Sequence, residues 1–301
     1  MIDLEDAIRI KVIILAIIES IFWGMSGIVA EYLFEHHLVT PIWLVGIRLF
    51  VAGLLLLCWS RITTGESIFK IWHNKREILT LIAFALLGMI PSQLTYFMAI
   101  RYGNAPTATV LQFLEPIFIM GYVTAFNHKL PNFSEIVSVI LALAGTFLLV
   151  TNGHIDSLAL SIAAIAWGIG AGVSQASYTL IPAKLLSIFD DKLIVGWGML
   201  LGSLPLSGFV LSTSAPKVSM ITIISIVFII IFGTMLAYLL YLMSTKYISP
   251  SVTGMLSAFE PLTATILSVA FLGTHLASVQ LLGGLFIIAT VFVQTIFNRN
   301  D

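Results

Sequence analysis

The chain has 301 residues, of which 59% are hydrophobic and only 10% are Asp, Glu, Lys or Arg, and its formal net charge is −1. Soluble globular domains carry roughly 25% charged residues, so this composition excludes a soluble protein and predicts an all-α integral membrane protein. The small net charge gives no indication of a nucleic-acid partner, and a single cysteine excludes both an intramolecular disulfide and a cysteine metal cluster.

Ten apolar segments follow one another along the chain, each close to the roughly 20 residues that cross a bilayer core of about 30 Å. We predict membrane-spanning helices over residues 12–34, 41–60, 78–100, 106–126, 134–151, 158–181, 193–213, 220–243, 250–272 and 276–297. The acidic residues that precede Arg9 argue against a secretory signal, so the first segment is predicted to be an uncleaved span. The connections are short and leave no room for a soluble domain.

Lysine and arginine are unevenly distributed over the predicted connections. With a cytoplasmic N-terminus, eleven of the 14 Lys and Arg residues fall on the cytoplasmic side, only Arg101 and Lys217 fall outside, and Arg48 lies within a span. Cytoplasmic loops of membrane proteins are enriched in these two residue types. We therefore expect a multi-pass protein of the cytoplasmic membrane with both termini in the cytoplasm.

Two Glu-Pro pairs, each in the middle of an apolar segment, reveal an internal repeat. Residues 88–116 align without a gap with residues 233–261, and this offset of 145 places Glu115-Pro116 on Glu260-Pro261. Proline removes a backbone donor and bends a helix, so Pro116 and Pro261 predict kinks in the fourth and ninth spans.

The repeat extends upstream, where Trp23-Gly24 matches Trp167-Gly168 at an offset of 144. The repeat unit is therefore five spans long, residues 1–156 in the first copy and residues 157–301 in the second. An odd number of spans forces the two copies into opposite orientations. Inverted repeats around a midplane site are a recurrent architecture of secondary transporters.

Further motifs stand in a fixed order around this repeat. An arginine lies in the second span within GIRLFVAGLLLL, Glu-Pro pairs lie in the fourth and ninth spans, and the tenth contains QLLGGLFIIATVFV. In this order and duplication, the chain resembles the EamA-type branch of the drug/metabolite transporter superfamily over nearly all its residues. The resemblance implies movement of a small metabolite, often an amino acid or amine and often outward. Members often end the fourth and ninth spans with Glu-Arg, where this chain has Lys129-Leu130 and Thr274-His275.

Four ionisable residues fall inside predicted spans: Glu19, Arg48, Glu115 and Glu260. A charge at the centre of a membrane helix costs on the order of 3 kcal/mol, so such residues are functional candidates. With a helical rise of about 1.5 Å per residue, Arg48 lies roughly 10 Å and Glu115 about 13 Å from the outer ends of their spans. We therefore predict a structural ion pair between Arg48 and Glu115.

The second repeat has approximately Gly198 at the place of Arg48, so Glu260 has no equivalent cation. A buried carboxyl group without a cation binds a proton or an amine more readily. We hypothesise that Glu260, together with Glu19, binds the solute or a coupling proton. The alternative, which these residues leave open, is that each acid only hydrogen-bonds across helices or to backbone groups that the kink frees.

Aromatic and amide side chains at helical spacing surround these acids in the sequence. We predict that they form the walls of a solute cavity with Glu19 and Glu260, namely Trp23, Tyr96, Gln112, Trp167, Gln175, Tyr178 and Tyr241. The alternative is packing or anchoring at the membrane interface, which is the commoner role of such residues.

The histidines fall in connections or near span ends without the spacing of a metal site, and no nucleotide-binding motif is present. We predict no catalytic residue, metal or cofactor. The sequence favours a secondary transporter that moves a small organic metabolite by alternating access. An intramembrane enzyme acting on a lipid or peptide, and a nontransporting sensor or scaffold, are the alternatives. These residues do not indicate an oligomeric state.

Overall fold

A computed structural model describes residues 4–103, 105–127, 132–151, 161–213, 219–248, 253 and 256–272, with residues 278–279, 281–283, 285–286, 289 and 293. Every regular element in these ranges is helical. The predicted repeat boundary at residues 156 and 157 lies outside the described residues, as do Lys129-Leu130 and Thr274-His275.

The first half begins with two long helices, α1 (Leu4–Glu35) and α2 (Pro41–Thr64). The third span is α3 (Lys75–Ala83), a π-helical segment (Phe84–Met89) and α4 (Ile90–Tyr102). The fourth span is divided into α5 (Ala105–Gln112) and α6 (Glu115–Asn127), and the fifth is α7 (Phe133–Thr151).

The second half follows the same order. It contains α8 (Ile162–Leu180), the short α9 (Ala183–Leu186) and α10 (Asp191–Ser212). The eighth span is α11 (Met220–Ile230), a π-helical segment (Ile231–Leu236) and α12 (Ala237–Ser244), and α13 (Phe259–Leu272) lies in the ninth. Most of the predicted tenth span lies outside the described residues.

Five described helices are long and apolar enough to cross a membrane: Ile10–Glu35, Pro41–Thr64, Lys75–Tyr102, Asp191–Ser212 and Met220–Ser244. They correspond to the predicted first, second, third, seventh and eighth spans. Local chemistry sets their ends, as in α2, where the Thr40 hydroxyl accepts from the Trp43 amide (3.4 Å) and Gly65 closes the helix at a φ of 68°.

The two π-helical segments lie at nearly matching places in the repeat. Each contains a glycine of the aligned pair, Gly88 in the third span and Gly233 in the eighth. A π-helical turn contains one extra residue and is frequent at functional sites. Neither segment was predicted, because the apolar composition of both spans is compatible with a continuous α-helix.

The first helix of each half packs against helices of the other half. Helix α1 packs against α12 and α13 of the second half, and α8 packs correspondingly against α4 and α5 of the first. The equivalent helices α2 and α10 cross where Gly53 meets Gly196, and a Cβ atom added at Gly53 would lie 2.9 Å from the Gly196 carbonyl oxygen. This reciprocal packing matches an inverted repeat, and it places the core between the halves.

Candidate functional site

Both spans that contain a Glu-Pro pair are interrupted next to the acid. In the fourth span, α5 ends at Gln112 and α6 begins at Glu115. In the ninth, Pro261 has no amide hydrogen for the Ser257 carbonyl, which instead accepts from the Glu260 amide at 2.9 Å. Each interruption directs a carboxyl group toward the interior, where Glu115 and Glu260 are both buried.

A cavity lies between the halves at the level of these acids. First-half helices α1, α2, α4 and α5 line it together with α12, α13 and the second π-helical segment. Its lining residues are Trp23, Ser26, Arg48, Tyr96, Phe97, Gln112, Gly233, Tyr238 and Glu260. The empty space is about 240 Å³, but the centre of a water molecule can reach only about 10 Å³, which holds about one water. The cavity therefore has room for about one water molecule in this conformation.

Three polar atoms of the lining are buried without a hydrogen-bond partner among the described residues. They are Trp23 Nε1, Arg48 Nε and Gln112 Oε1. A buried polar group without a partner costs about 1–3 kcal/mol, and a bound ligand that supplies the missing partner recovers this energy. The wall therefore offers donors and an acceptor to a small polar molecule.

Arg48 contributes to this wall instead of pairing with Glu115. Its guanidinium carbon lies 3.9 Å from the centroid of the Phe97 ring, a cation–π contact. The predicted Arg48–Glu115 ion pair is not among the ion pairs of the described residues. Helix α2 packs mainly against α10 and also against α4, and it places Arg48 on the cavity wall beside the Phe97 ring.

Two hydroxyl groups of the other half surround Glu115. The Thr179 hydroxyl oxygen of α8 lies 2.8 Å from Glu115 Oε1, and the Tyr241 hydroxyl of α12 contacts the same carboxyl oxygen. The hydroxyl oxygens of Thr179 and Tyr241 are themselves 2.6 Å apart. These neutral groups, and not an arginine, are the described partners of the Glu115 carboxyl group.

Glu19 is fully buried on α1, close enough to Glu260 and Glu115 for the three charges to interact. Ser20 donates to Glu19 Oε1 at 2.9 Å, whereas Oε2 has no hydrogen-bond partner in the part of the chain that the structure describes. The other two acids differ in their surroundings. Glu260 lines the cavity, whereas Glu115 lies beside the cavity and is hydrogen-bonded to Thr179 and Tyr241.

The remaining predicted wall residues fall into two groups. Trp23, Tyr96 and Gln112 line the cavity, but Trp167 is half-buried against the main core cluster, away from the lining. Gln175 is buried, and neither its side-chain oxygen nor its side-chain nitrogen has a hydrogen-bond partner within the described ranges. Tyr178 donates to the Tyr238 carbonyl at 3.0 Å and so supports the wall from behind.

Tyr238, Phe97 and Thr179 were not predicted as site residues. Tyr238 precedes Tyr241 by three residues, so the two share a helix face, and its ring lies 4.9 Å from that of Trp23. This spacing was a usable signal. Phe97 and Thr179 have no such signal, because an apolar or hydroxyl residue inside a span is ordinary.

A sequence profile of the EamA-like transporter family matches residues 10–151 and, a second time, residues 162–296. The chain belongs to the EamA-like transporter family. The double match agrees with the repeat of the Glu-Pro and Trp-Gly pairs. It makes the chain a multi-pass membrane protein of the drug/metabolite transporter superfamily, with the ten-span fold and internal repeat of that family.

Several curated proteins resemble this EamA-like chain over most of its length. The uncharacterized inner membrane transporter YicL of Salmonella typhimurium is 34% identical, with 94% of each chain covered. The uncharacterized transporter YwfM of Bacillus subtilis is 26% identical over 89% of this chain and 88% of its own. A crystal structure with 14% sequence identity has a TM-score of 0.76 and covers 98% of both chains, which supports the fold.

Proposed function

We propose that this EamA-like protein is a secondary transporter of a small amino acid or amine, which it moves outward across the cytoplasmic membrane by alternating access. The observation that supports this most is the cavity between the inverted halves, which an arginine and a glutamate both line. EamA-like membership implies transport of a small solute through the bilayer and leaves the solute, the direction and the mechanism to be tested.

The charges of the cavity favour a solute with both signs of charge. Glu260, with Glu19 nearby, suits a positively charged amino group, and Arg48 suits a carboxylate. Charge-assisted hydrogen bonds of this kind are about twice as strong as neutral ones. An amino acid can bind Glu260 through its amino group and Arg48 through its carboxylate, whereas a simple amine has no group that accepts a hydrogen bond from Arg48 Nε.

The size of the cavity supports a moving carrier over an open channel. Room for about one water cannot admit an amino acid, so the helices must separate before the solute enters. Helices α1 and α8 each pack on the opposite half, so rocking of one half against the other would open the cavity to one side at a time.

Binding tests the proposal before flux does. In a thermal-shift screen of the purified protein against amino acids, amines, nucleosides and organic acids, we expect amino acids to stabilise the protein. Glu260→Gln and Arg48→Gln should each weaken this binding at least about tenfold, since each removes a charge-assisted contact of roughly 1.5–3 kcal/mol. Glu66→Gln, at an exposed residue of the connection after α2, is the matched control.

Flux in proteoliposomes then separates transport from the alternatives. Uptake or efflux of the stabilising solute by the wild-type protein, with loss in Glu260→Gln, supports a transporter. Binding without flux would favour a sensor, and a solute that is chemically altered would favour an enzyme. If only amines stabilise the protein, and Arg48→Gln does not change this stabilisation, then the solute has no carboxylate that binds Arg48, and the protein carries an amine.

A further inference from the structure

Glu115 lies beside the solute cavity without lining it, in a cluster of three oxygens of its own. We propose that Glu115, Thr179 and Tyr241 form a proton-binding site, separate from the solute cavity, through which a proton is exchanged for the solute. The coupling part of this inference rests on the proposed transport function; the proton site itself does not.

Counting hydrogens supports a proton in this cluster. The Thr179 hydroxyl oxygen is 2.8 Å from Glu115 Oε1, 2.6 Å from the Tyr241 oxygen and 3.0 Å from the Gln175 carbonyl oxygen. Tyr241 also contacts Glu115 Oε1. These four contacts share only two hydroxyl hydrogens when the carboxyl group is ionised. A protonated carboxyl group supplies the third, so that Glu115 donates to Thr179, Thr179 donates to Tyr241 and Tyr241 donates to Glu115, and only the contact with the Gln175 carbonyl oxygen has no hydrogen.

Loss of this proton rearranges the cluster. The carboxylate accepts both hydroxyl hydrogens, and no hydrogen then remains between Thr179 and Tyr241, whose oxygens lie 2.6 Å apart. Two oxygens at that distance without a shared hydrogen repel each other. Tyr241 therefore takes a different position in the protonated and the ionised cluster.

Tyr241 connects this change to the solute cavity. Its ring centroid lies 5.3 Å from that of Trp23, whose indole lines the cavity and also contacts Tyr238 at 4.9 Å. Tyr241 and Thr179 belong to the second half and Glu115 to the first, so the same hydrogen bonds join the two halves. Protonation of Glu115 therefore changes the position of Tyr241 against the cavity wall, and it changes the hydrogen bonds that join the two halves.

The charges around Glu115 give the direction of exchange. The titratable groups that interact with it are Glu19 of α1, Tyr178 of α8, Tyr241 of α12 and Glu260 of α13. Negative charge on Glu260 opposes ionisation of Glu115, and a solute amine at Glu260 removes that repulsion. Solute binding therefore favours proton release, which is the linkage that an antiporter needs.

Infrared difference spectroscopy of the reconstituted protein, stepped through pH without solute, tests the proton site directly. The wild-type protein should show the C=O band of a protonated carboxyl group, Glu115→Gln should lose that band, and Tyr241→Phe should shift it. Glu66→Gln should leave it unchanged. A spectrum in which Glu115→Gln loses no band would overturn the site, and Tyr241→Phe and Thr179→Val provide the same readout if Glu115→Gln does not fold.

Coupling is measured in proteoliposomes with a mixture of the proteinogenic amino acids as the solute. We expect a pH gradient to drive net flux through the wild-type protein, and we expect Glu115→Gln to exchange solute more slowly at a rate that no longer varies with pH. If the solute flux of the wild-type protein is the same with and without a pH gradient, the proposed coupling is wrong, but the proposed transport function is not contradicted. Absence of any flux would refute the proposed function, while the infrared band still decides the proton site.

Discussion

Glu31 stabilises the start of the fourth span from a neighbouring helix. Its Oε2 accepts from the Ala105 amide at 3.0 Å, at the first residue of α5, whose amide has no partner within its own helix. This long-range bond has the function of an N-cap, although the acid lies 74 residues earlier in the chain.

Glu31→Ala should lower the thermal stability of the purified protein, because loss of such a capping interaction costs about 1 kcal/mol. The control is Glu35→Ala, one turn further along α1 at an exposed position. Melting temperatures in one detergent compare the two variants. Equal melting temperatures for both would show that the Ala105 amide finds another partner.

At the scale of residues, the sequence identified the acids better than their partners. Glu260 and Glu115 stood out because a carboxyl group inside a membrane span is rare. Depth along a span can be calculated from helical rise, and it gave Arg48 and Glu115 compatible levels. Depth does not indicate which side chains face each other, and the structure has Arg48 beside the Phe97 ring and Glu115 beside the Thr179 and Tyr241 hydroxyl groups.

At the scale of elements, close helix contact depends on glycines. A Cβ atom at Gly24 of α1 would lie 2.6 Å from the Glu260 carbonyl oxygen, which is backbone and cannot rotate away. Gly24 therefore sets how closely α1 approaches the break in the ninth span, and with it the position of the Glu260 side chain.

Gly24→Ala should destabilise the protein by about 1–3 kcal/mol, as overpacking does, and should also weaken solute binding. Gly208→Ala is the matched control, since a Cβ atom in that part of α10 would meet nothing within 4 Å. Alanine is the better helix former, so the control should be slightly stabilised. Thermal unfolding and the solute-dependent shift measure the two effects, and similar behaviour of the two variants would contradict the contact.

The sequence predicted where helices form, but it predicted only some of the places where these helices are interrupted or become π-helical. The prolines of the two Glu-Pro pairs anticipated the breaks before Glu115 and Glu260. The π-helical segments around Gly88 and Gly233 contain no proline, and they pack against α8 and α1 respectively.

At the scale of the whole molecule, connections predicted on the same side of the membrane contact each other. Ser60 at the end of α2 donates to Asp190 before α10 at 3.0 Å, and Trp197 Nε1 donates to the Ile68 carbonyl at 2.8 Å. Residues 61–77 carry four of the lysines and arginines from which a cytoplasmic position of this side is predicted.

Cysteine accessibility tests this orientation. In a Cys58→Ser background, which has no other cysteine, His37→Cys should react with a membrane-impermeant maleimide in intact cells. Glu66→Cys should react only after the membrane is permeabilised. The reverse pattern would invert the orientation, and with it the direction of proposed transport.

The hydrogen bonds of Glu115 have a further consequence for exchanging one half of the molecule. The acid belongs to one copy of the repeat, but the hydroxyl groups of Thr179 and Tyr241 that bond it belong to the other. Neither half contains the whole cluster. A chimera that joins residues 1–156 to the second half of a relative should therefore work only if that relative supplies both hydroxyl groups.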